Sequence, residues 1–207
     1  MKFLFATSNR AKMRHYGERL ADKGIEIVTP KDLGLSVDVD ETGRNPVENA
    51  VIKAEAYHQA SGLLTIAMDD GLFLENLPEE LQPGTHVRRV GGKRLTDEEM
   101  IEYYVGLVDQ FGRDGKLAGY FLKGVTIVTD EKTYRYEVKS HRCFTRQQST
   151  KREEGYPLAS IQMVMPFYKF KSELTVEEET IVMEEELKEI FEFIGRTVDE
   201  IEESQHA

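Results

Sequence analysis

Short apolar runs alternate with segments of helical periodicity along the first half of the chain. The apolar runs predict buried strands at KFLFA, IEIV and LLTIAM. Between the first two runs, residues from about 9 to 23 have helical spacing. After the second run, Asn45 and Pro46 supply an N-cap and a first-turn proline for another helix, which ends near residue 61. Strands that alternate with helices in this way predict an α/β fold.

Longer strand-like runs occupy the second half of the chain. After a predicted loop over residues 71–94, Thr96 and Glu99 have the spacing of a capping box and predict a helix to about residue 111. Two long strands joined by a tight turn are predicted at LAGYFLKGVTIVTD and KTYRYEVKSHRCF, and one more strand at IQMVMPFYKF. A hairpin that follows alternating strands and helices indicates a mixed sheet.

Composition narrows the class of protein. The 207 residues are 40% hydrophobic, enough to bury a core, and their net charge of -11 argues against a nucleic-acid polymer as partner. No apolar run approaches the ~20 residues that cross a membrane, and the N-terminus lacks a secretory signal. The single cysteine, Cys143, is either a structural thiol or a nucleophile, and it excludes an internal disulfide. We therefore expect a cytoplasmic protein with no membrane partner.

The acidity is concentrated near the C-terminus. Residues 176–203 contain twelve acidic and two basic side chains, so most of the net charge lies there. Apolar residues recur at helical spacing through the same segment, which predicts one amphipathic helix. Its charges either face water or form an acidic docking surface.

The segment ATSNRAK places polar residues where a predicted strand runs directly into a helix. Backbone N–H groups at a helix start attract anions, and Thr7, Ser8 and Asn9 add short polar side chains there. Lys12 is a cation in the first helical turn, which is unfavourable unless an anion binds nearby. The alternative is that Ser8 or Asn9 caps the helix and Lys12 lies in water. Spacing alone leaves both interpretations open.

Two further segments carry candidate chemistry. In ENAVIKAEA, Asn49 and Lys53 share one helix face with Glu48 at its edge, although a surface polar face is the simpler interpretation. Asp69 and Asp70 follow a predicted strand, and ligands of α/β folds gather at the carboxyl ends of strands. Carboxylates beside phosphate-binding groups suggest Mg²⁺, which prefers oxygen ligands and bridges protein to phosphate.

Several motifs, in order over roughly the first 90 residues, resemble those of the inosine triphosphate pyrophosphatase family. The family pattern A-T-x-N-x-x-K is matched at residues 6–12, D-L-G-L at 32–35 and E-T-G at 41–43. The family pattern E-N-A-x-x-K-A is matched at residues 48–54. AMDDGL corresponds to the family's A-D-D-S-G-L, and PGTHVRRV corresponds to P-G-x-x-S-A-R-Y.

The resemblance implies a fold, a reaction and a set of site residues. It implies one domain over residues 1–207, with a mixed central sheet, flanking helices and two lobes around a nucleotide cleft, and it suggests a homodimer. The implied reaction is attack of water on the α-phosphorus of a nucleoside triphosphate, which releases pyrophosphate. By position, the resemblance implies Asp69 as catalytic base and metal ligand, Glu48 as second Mg²⁺ ligand, and a nucleotide site of Thr7, Ser8, Asn9, Lys12, Lys53, Asp70 and Arg89. Asp70 stands where the family has a serine.

The second half of the chain departs from the family pattern. The family's F-G-Y-D-P is reduced to Gly155-Tyr156-Pro157, without the aspartate. The family's later lysine falls on Glu179, and its serine-histidine-arginine tripeptide, which contacts the purine, falls on residues 183–185. We therefore predict a Mg²⁺-dependent pyrophosphatase with altered or relaxed base preference. The alternatives are ordinary inosine/xanthosine triphosphate specificity and a nucleotide-binding relative without turnover.

Overall fold

The strands of the chain form one large sheet and one small one. The computed structural model describes residues 1–7, 9, 12–22 and 24–205. Its strands are β1 (Lys2–Phe5), β2 (Glu26–Val28), β3 (Leu64–Leu74), β4 (Arg89–Val90), β5 (Lys93–Arg94), β6 (Lys116–Val128), β7 (Thr133–Thr145), β8 (Gln162–Val164) and β9 (Lys169–Phe170). The large sheet has the order β2-β1-β3-β6-β7-β8-β9, and β4 pairs with β5 alone.

The large sheet is mixed, as predicted. Strand β1 pairs in parallel with both β2 and β3, whereas β7 pairs antiparallel with β8 and β8 with β9. The helices are α1 (Glu18–Asp22), which follows a π-helical turn at Met13–Gly17, then α2 (Pro46–Ser61), α3 (Asp97–Phe111) and α4 (Val176–Gln205). None of the helices in the described ranges has the length and apolar character to cross a membrane.

Helix boundaries follow the predicted caps. The Asn45 side chain accepts a hydrogen bond from the backbone N–H of Glu48 and begins α2, whose first residue is Pro46. Thr96 and Glu99 form a reciprocal capping box at the start of α3. These two helix starts were predictable because capping depends on neighbours three residues apart.

Two strand predictions need correction. Residues 71–74 lie inside β3 rather than in a loop, because Leu72 and Leu74 alternate into the core at 0% and 3% exposure. The predicted strand at residues 161–170 is two short strands, β8 and β9, on either side of Pro166. Proline lacks the N–H group that an inner ladder position requires, so the run is interrupted there.

The chain divides into two compact units. The first comprises Met1–Asp70, Lys123–Val138 and Leu187–Ala207, and the second comprises Gly71–Leu122 and Lys139–Glu186. In the second unit, Tyr104 lies at the centre of an apolar cluster, and its hydroxyl donates a hydrogen bond to the Val87 carbonyl at 3.0 Å. This bond satisfies the hydroxyl group of the buried Tyr104 side chain.

In the first unit, helix α2 lies very close to strand β6. A Cβ atom at Gly124 would stand 2.6 Å from the Val47 Cα and 2.7 Å from the Pro46 carbonyl carbon. Ala50 and Ala54, one turn and two turns further along the helix, are fully buried. The small residues therefore set the distance between helix and sheet, and with it the position of every polar side chain on α2.

The C-terminal part of α4 packs its apolar stripe into the first unit. Buried along this stripe are Leu187, Ile190, Phe191, Ile194 and Ile201, so the predicted amphipathic helix is confirmed. Some acidic residues of α4 bind other side chains of the protein. Glu189 accepts a hydrogen bond from the Tyr136 hydroxyl, and Glu200 pairs with Lys132 at 2.7 Å. Part of the acidic face of α4 thus binds the turn between β6 and β7 and the first part of β7.

Candidate functional site

The segment that follows β1 and the middle of β3 place several of the predicted polar residues on one cavity of the first unit. Asp69 and Asp70 were predicted to follow a strand, but they lie inside β3, which continues to Leu74. Phe5 of β1 is in register with Ile66 of β3, and the N–H of Ala6 donates to the Ile66 carbonyl at 2.8 Å. The chain segments that follow these residues therefore lie side by side. They border a cavity of about 440 Å³, whose polar lining consists of Thr7, Asn9, Lys12, Asp38, Glu41, Lys53, Tyr57 and Asp69.

Asp69 is held at this cavity by two partners on α2. Its Oδ2 accepts a hydrogen bond from Asn49 Nδ2 at 3.1 Å, and its Oδ1 lies 3.9 Å from Lys53 Nζ. Only 15% of the Asp69 side chain is exposed. Burial raises the pKa of Asp69 above its ordinary value, and Lys53 and Asn49 offset only part of this effect. A carboxylate with a raised pKa is a better proton acceptor than an ordinary aspartate.

Asn49 connects Asp69 to the loop that precedes α2. The Asn49 side chain is 1% exposed, and its Oδ1 accepts a hydrogen bond from the N–H of Gly43 at 2.8 Å. A Cβ atom at position 43 would stand 2.6 Å from that oxygen, so only glycine allows this approach. The spacing of Asn49 and Lys53 predicted a shared face, but no role was assigned to Asn49.

Lys53 bridges two carboxylates. Its Nζ lies 2.8 Å from Glu41 Oε1, closer than to Asp69, and only 17% of its side chain is exposed. Glu41 was recognised only as part of the E-T-G motif, without a role. The structure therefore adds Glu41 and Asn49 to the site residues that the sequence suggested.

Lys12 forms an ion pair within the protein and does not extend into water. Its Nζ lies 2.8 Å from Asp70 Oδ2 and donates to the Met68 carbonyl at 3.0 Å. Burial acts to raise the pKa of Asp70, but the charges of Lys12 and Lys123 outweigh it, so this pKa lies below its ordinary value. Asp70 is accordingly the ionised counter-charge of Lys12.

The residues before Lys12 form a small capping arrangement. The Thr7 hydroxyl accepts a hydrogen bond from the N–H of Asn9 at 3.1 Å, and Asn9 Oδ1 accepts one from the N–H of Lys12 at 3.4 Å. Asn9 thus takes the capping role considered for it, while Thr7 and Asn9 also line the cavity. Ser8, the remaining residue of this predicted group, lies outside the described residues.

Glu48 and Arg89 are not among the residues that line this cavity. Glu48 accepts hydrogen bonds from the backbone N–H and the guanidinium of Arg44, both at 2.8 Å, and these bonds lower its pKa. Arg89 is exposed on β4 in the second unit, and its neighbour Arg88 forms an ion pair with Asp97 at 2.6 Å. The roles that the resemblance implied for Glu48 and Arg89 stay predictions.

The carboxylates of the site are compatible with a magnesium ion shared with substrate. Among the residues that the structure describes, no three His, Cys, Asp or Glu side chains cluster closely enough to hold a metal by themselves. Mg²⁺ usually needs only one or two protein carboxylates, with water and phosphate oxygens completing its shell. Glu41 and Asp69, which flank one cation already, fit that requirement.

Comparison with known proteins agrees with the motifs. Residues 3–156 match the model of the Ham1 family. Among curated proteins, the dITP/XTP pyrophosphatase of Photorhabdus laumondii is 34% identical over 119 residues, or 58% of this chain and 59% of that protein. The Bacillus subtilis dITP/XTP pyrophosphatase is 33% identical over 99 residues, 48% of this chain and 49% of that protein. The chain thus spans about half the length of the curated relatives it matches.

Solved structures resemble this chain over nearly its whole length. The Staphylococcus aureus Ham1 protein has a TM-score of 0.77 at 21% identity, with 96% of this chain and 98% of that chain covered. A HAM1 protein from Coxiella burnetii has a TM-score of 0.78 at 23% identity, with 97% and 99% covered. These likenesses establish the fold, and the predicted mixed α/β architecture is confirmed.

Replacing Asn49 with alanine should destabilise the protein. The Asn49→Ala variant removes two buried hydrogen bonds and leaves the N–H of Gly43 without its side-chain acceptor, a loss of about 2 kcal/mol in the free energy of unfolding. Urea denaturation measures this value. Glu55→Ala, an exposed change on the same helix, should stay within about 0.5 kcal/mol of wild type. Equal stabilities for the two variants would contradict the contacts assigned to Asn49.

Proposed function

The chain belongs to the Ham1 family, and from this premise we propose that it hydrolyses a nucleoside triphosphate to the monophosphate and pyrophosphate with Mg²⁺ as cofactor. The observation that carries the proposal is the placement of Asp69 on a cavity with two lysines, Lys12 and Lys53. Hydrolysis of a phosphoric anhydride needs a group that accepts a proton from water and cations that hold the leaving group. This cavity offers both kinds of group.

In this proposal Asp69 accepts the proton of the attacking water. Its carboxylate lines the cavity and is largely buried, so it can contact a water molecule that is bound beside the substrate. Asn49 occupies Oδ2 of the carboxylate and so restricts its orientation. Asn49 is therefore a positioning residue, and Asp69 is the catalytic residue.

Lys53 and Lys12 bind the phosphate chain, together with the polar residues after β1. Lys53 stands beside Asp69, so a phosphate held by this lysine lies close to the proposed base. Thr7 and Asn9 line the same wall as Lys12 and contribute hydrogen bonds to phosphate oxygens. Ser8 is proposed here on the family resemblance alone.

Asp69 and Glu41 would hold the magnesium ion, which when bound neutralises phosphate charge. Both carboxylates contact Lys53, so the phosphate chain and the ion would share one neighbourhood. Glu48, the ligand that the resemblance implied, would have to exchange its hydrogen bonds with Arg44 for this role. Arg89 and a homodimer also remain part of the proposal on the same family resemblance, and a cytoplasmic location remains part of it on the composition of the chain.

Product analysis tests the reaction. Incubation of the protein with Mg²⁺ and a panel of nucleoside triphosphates should yield monophosphate and pyrophosphate, separated by ion-exchange chromatography. We expect this split because lysines hold the β- and γ-phosphates as the leaving group. Diphosphate and orthophosphate as products would contradict the proposal. Absence of turnover with every triphosphate would favour the non-catalytic alternative.

Base preference should be weak. The residues that read the purine in the family fall here on Glu179 and on residues 183–185, which do not supply the same donors. A polar pocket can favour one base over another by ~10⁴ in kcat/KM only where the wrong base leaves buried polar groups of the pocket unpaired. We therefore expect kcat/KM for inosine triphosphate to exceed that for adenosine or guanosine triphosphate by less than about a hundredfold. A preference of a thousandfold or more would instead support ordinary inosine/xanthosine specificity.

Asp69→Asn should reduce turnover strongly without unfolding the protein. The amide keeps the size of the side chain but cannot accept the proton of water, so kcat should fall by at least ~10². Steady-state pyrophosphate release measures kcat, and circular dichroism checks the fold. Glu55→Gln, which removes a charge from the exposed face of α2, should keep kcat within about twofold. Near-normal turnover of Asp69→Asn would exclude Asp69 as the base.

A further inference from the structure

Both lysines that line the cavity are already neutralised by carboxylates of the protein. Lys53 is paired with Glu41 at 2.8 Å, and Lys12 with Asp70 at 2.8 Å. The two arrangements differ in one respect. Glu41 itself lines the cavity and is available to a metal ion, whereas Asp70 is not part of the lining. Asp70 contacts the lining through its ion pair with Lys12.

The contacts of Lys12 limit what it can offer to a phosphate group. A lysine ammonium has three N–H donors, and here one faces Asp70 Oδ2 while another donates to the Met68 carbonyl at 3.0 Å. Only 17% of the Lys12 side chain is exposed. A phosphate oxygen that binds Lys12 thus meets an ammonium whose charge is already balanced.

Asp70 is influenced by a second cation as well as by Lys12. The charge of Lys123 acts on Asp70, and Lys123 also shares a hydrogen bond with the hydroxyl of the buried Tyr16. Tyr16 is 6% exposed, whereas the Asp70 side chain is 38% exposed and in contact with solvent. If a phosphate takes Lys12, the Asp70 carboxylate is still compensated by water and by the charge of Lys123.

We propose that Asp70 is an internal counter-anion that competes with the phosphate chain of the substrate for Lys12 and thereby sets the affinity of the site for polyphosphate. The inference rests on the proposed function, because it takes phosphate as the ligand of this cavity. It goes beyond the family resemblance, in which a neutral serine occupies this position. Removal of the Asp70 charge should strengthen phosphate binding, whereas a residue that merely orients Lys12 would weaken binding when changed.

Binding of inorganic tripolyphosphate, measured by isothermal titration calorimetry with metal chelated, tests the competition directly. Asp70→Asn and Asp70→Ser should each bind tripolyphosphate at least tenfold more tightly than wild type, a difference of about 1.4 kcal/mol. Glu55→Gln is the matched control, since it removes an equal charge from the exposed face of α2, outside the cavity lining and without touching Lys12. Its affinity should change by less than about threefold, as expected for a solvent-exposed charge.

A double-mutant cycle identifies Lys12 as the cation in question. Lys12→Met should weaken tripolyphosphate binding by at least tenfold in the Asp70→Asn background but by less than about threefold in wild type, where Asp70 already balances the charge. Unchanged or weaker binding by Asp70→Asn would overturn the inference, as would equal effects of Lys12→Met in both backgrounds. The titration needs no turnover. A protein that binds in this pattern but fails to release pyrophosphate would contradict the proposed function alone.

Discussion

The parallel pairing of β1 with β3 is the constraint on which the candidate site depends. Because β1 pairs in parallel with β3 and Phe5 is in register with Ile66, Lys12 reaches the middle of β3, where it contacts Met68 and Asp70. Neither segment could form the cavity alone. One supplies Thr7, Asn9 and Lys12, and the other supplies Asp69.

Helix α2 completes the site because it approaches the sheet closely. Because Gly124 has no side chain, α2 can approach β6 closely. The buried alanines of α2 are small enough to allow the same close packing. Asn49 and Lys53, one turn apart on that helix, then reach Asp69 together. A buried amide that binds both Asp69 and the Gly43 backbone also couples the carboxylate to the loop that carries Glu41.

Charge balance explains the arrangement of the remaining side chains. A carboxylate or an ammonium group that loses water needs a partner, and every lysine that lines the cavity has one. Glu48 also has a partner, Arg44, but this ion pair is exposed to water and lies outside the cavity lining. An ion or a phosphate that enters such a site must exchange partners with groups already bound to one another. In our proposal, the affinity of the site for phosphate therefore depends on differences between ion pairs and not on the number of lysines.

The sequence by itself determined the alternation of strands and helices, the caps of α2 and α3, the amphipathic α4 and the polar residues that follow β1. These features depend on neighbours within one or two helical turns or on strand periodicity, and such patterns are visible along the chain. The continuation of β3 past Gly71 was not visible, because a glycine between carboxylates and leucines is typical of a loop as well as of a strand. Only the tertiary structure decided which carboxylate pairs with which lysine. Lys12 with Asp70, Lys53 with Glu41 and Asn49 with Asp69 are partners from distant parts of the chain, and their pairing follows from where burial leaves charge to be compensated.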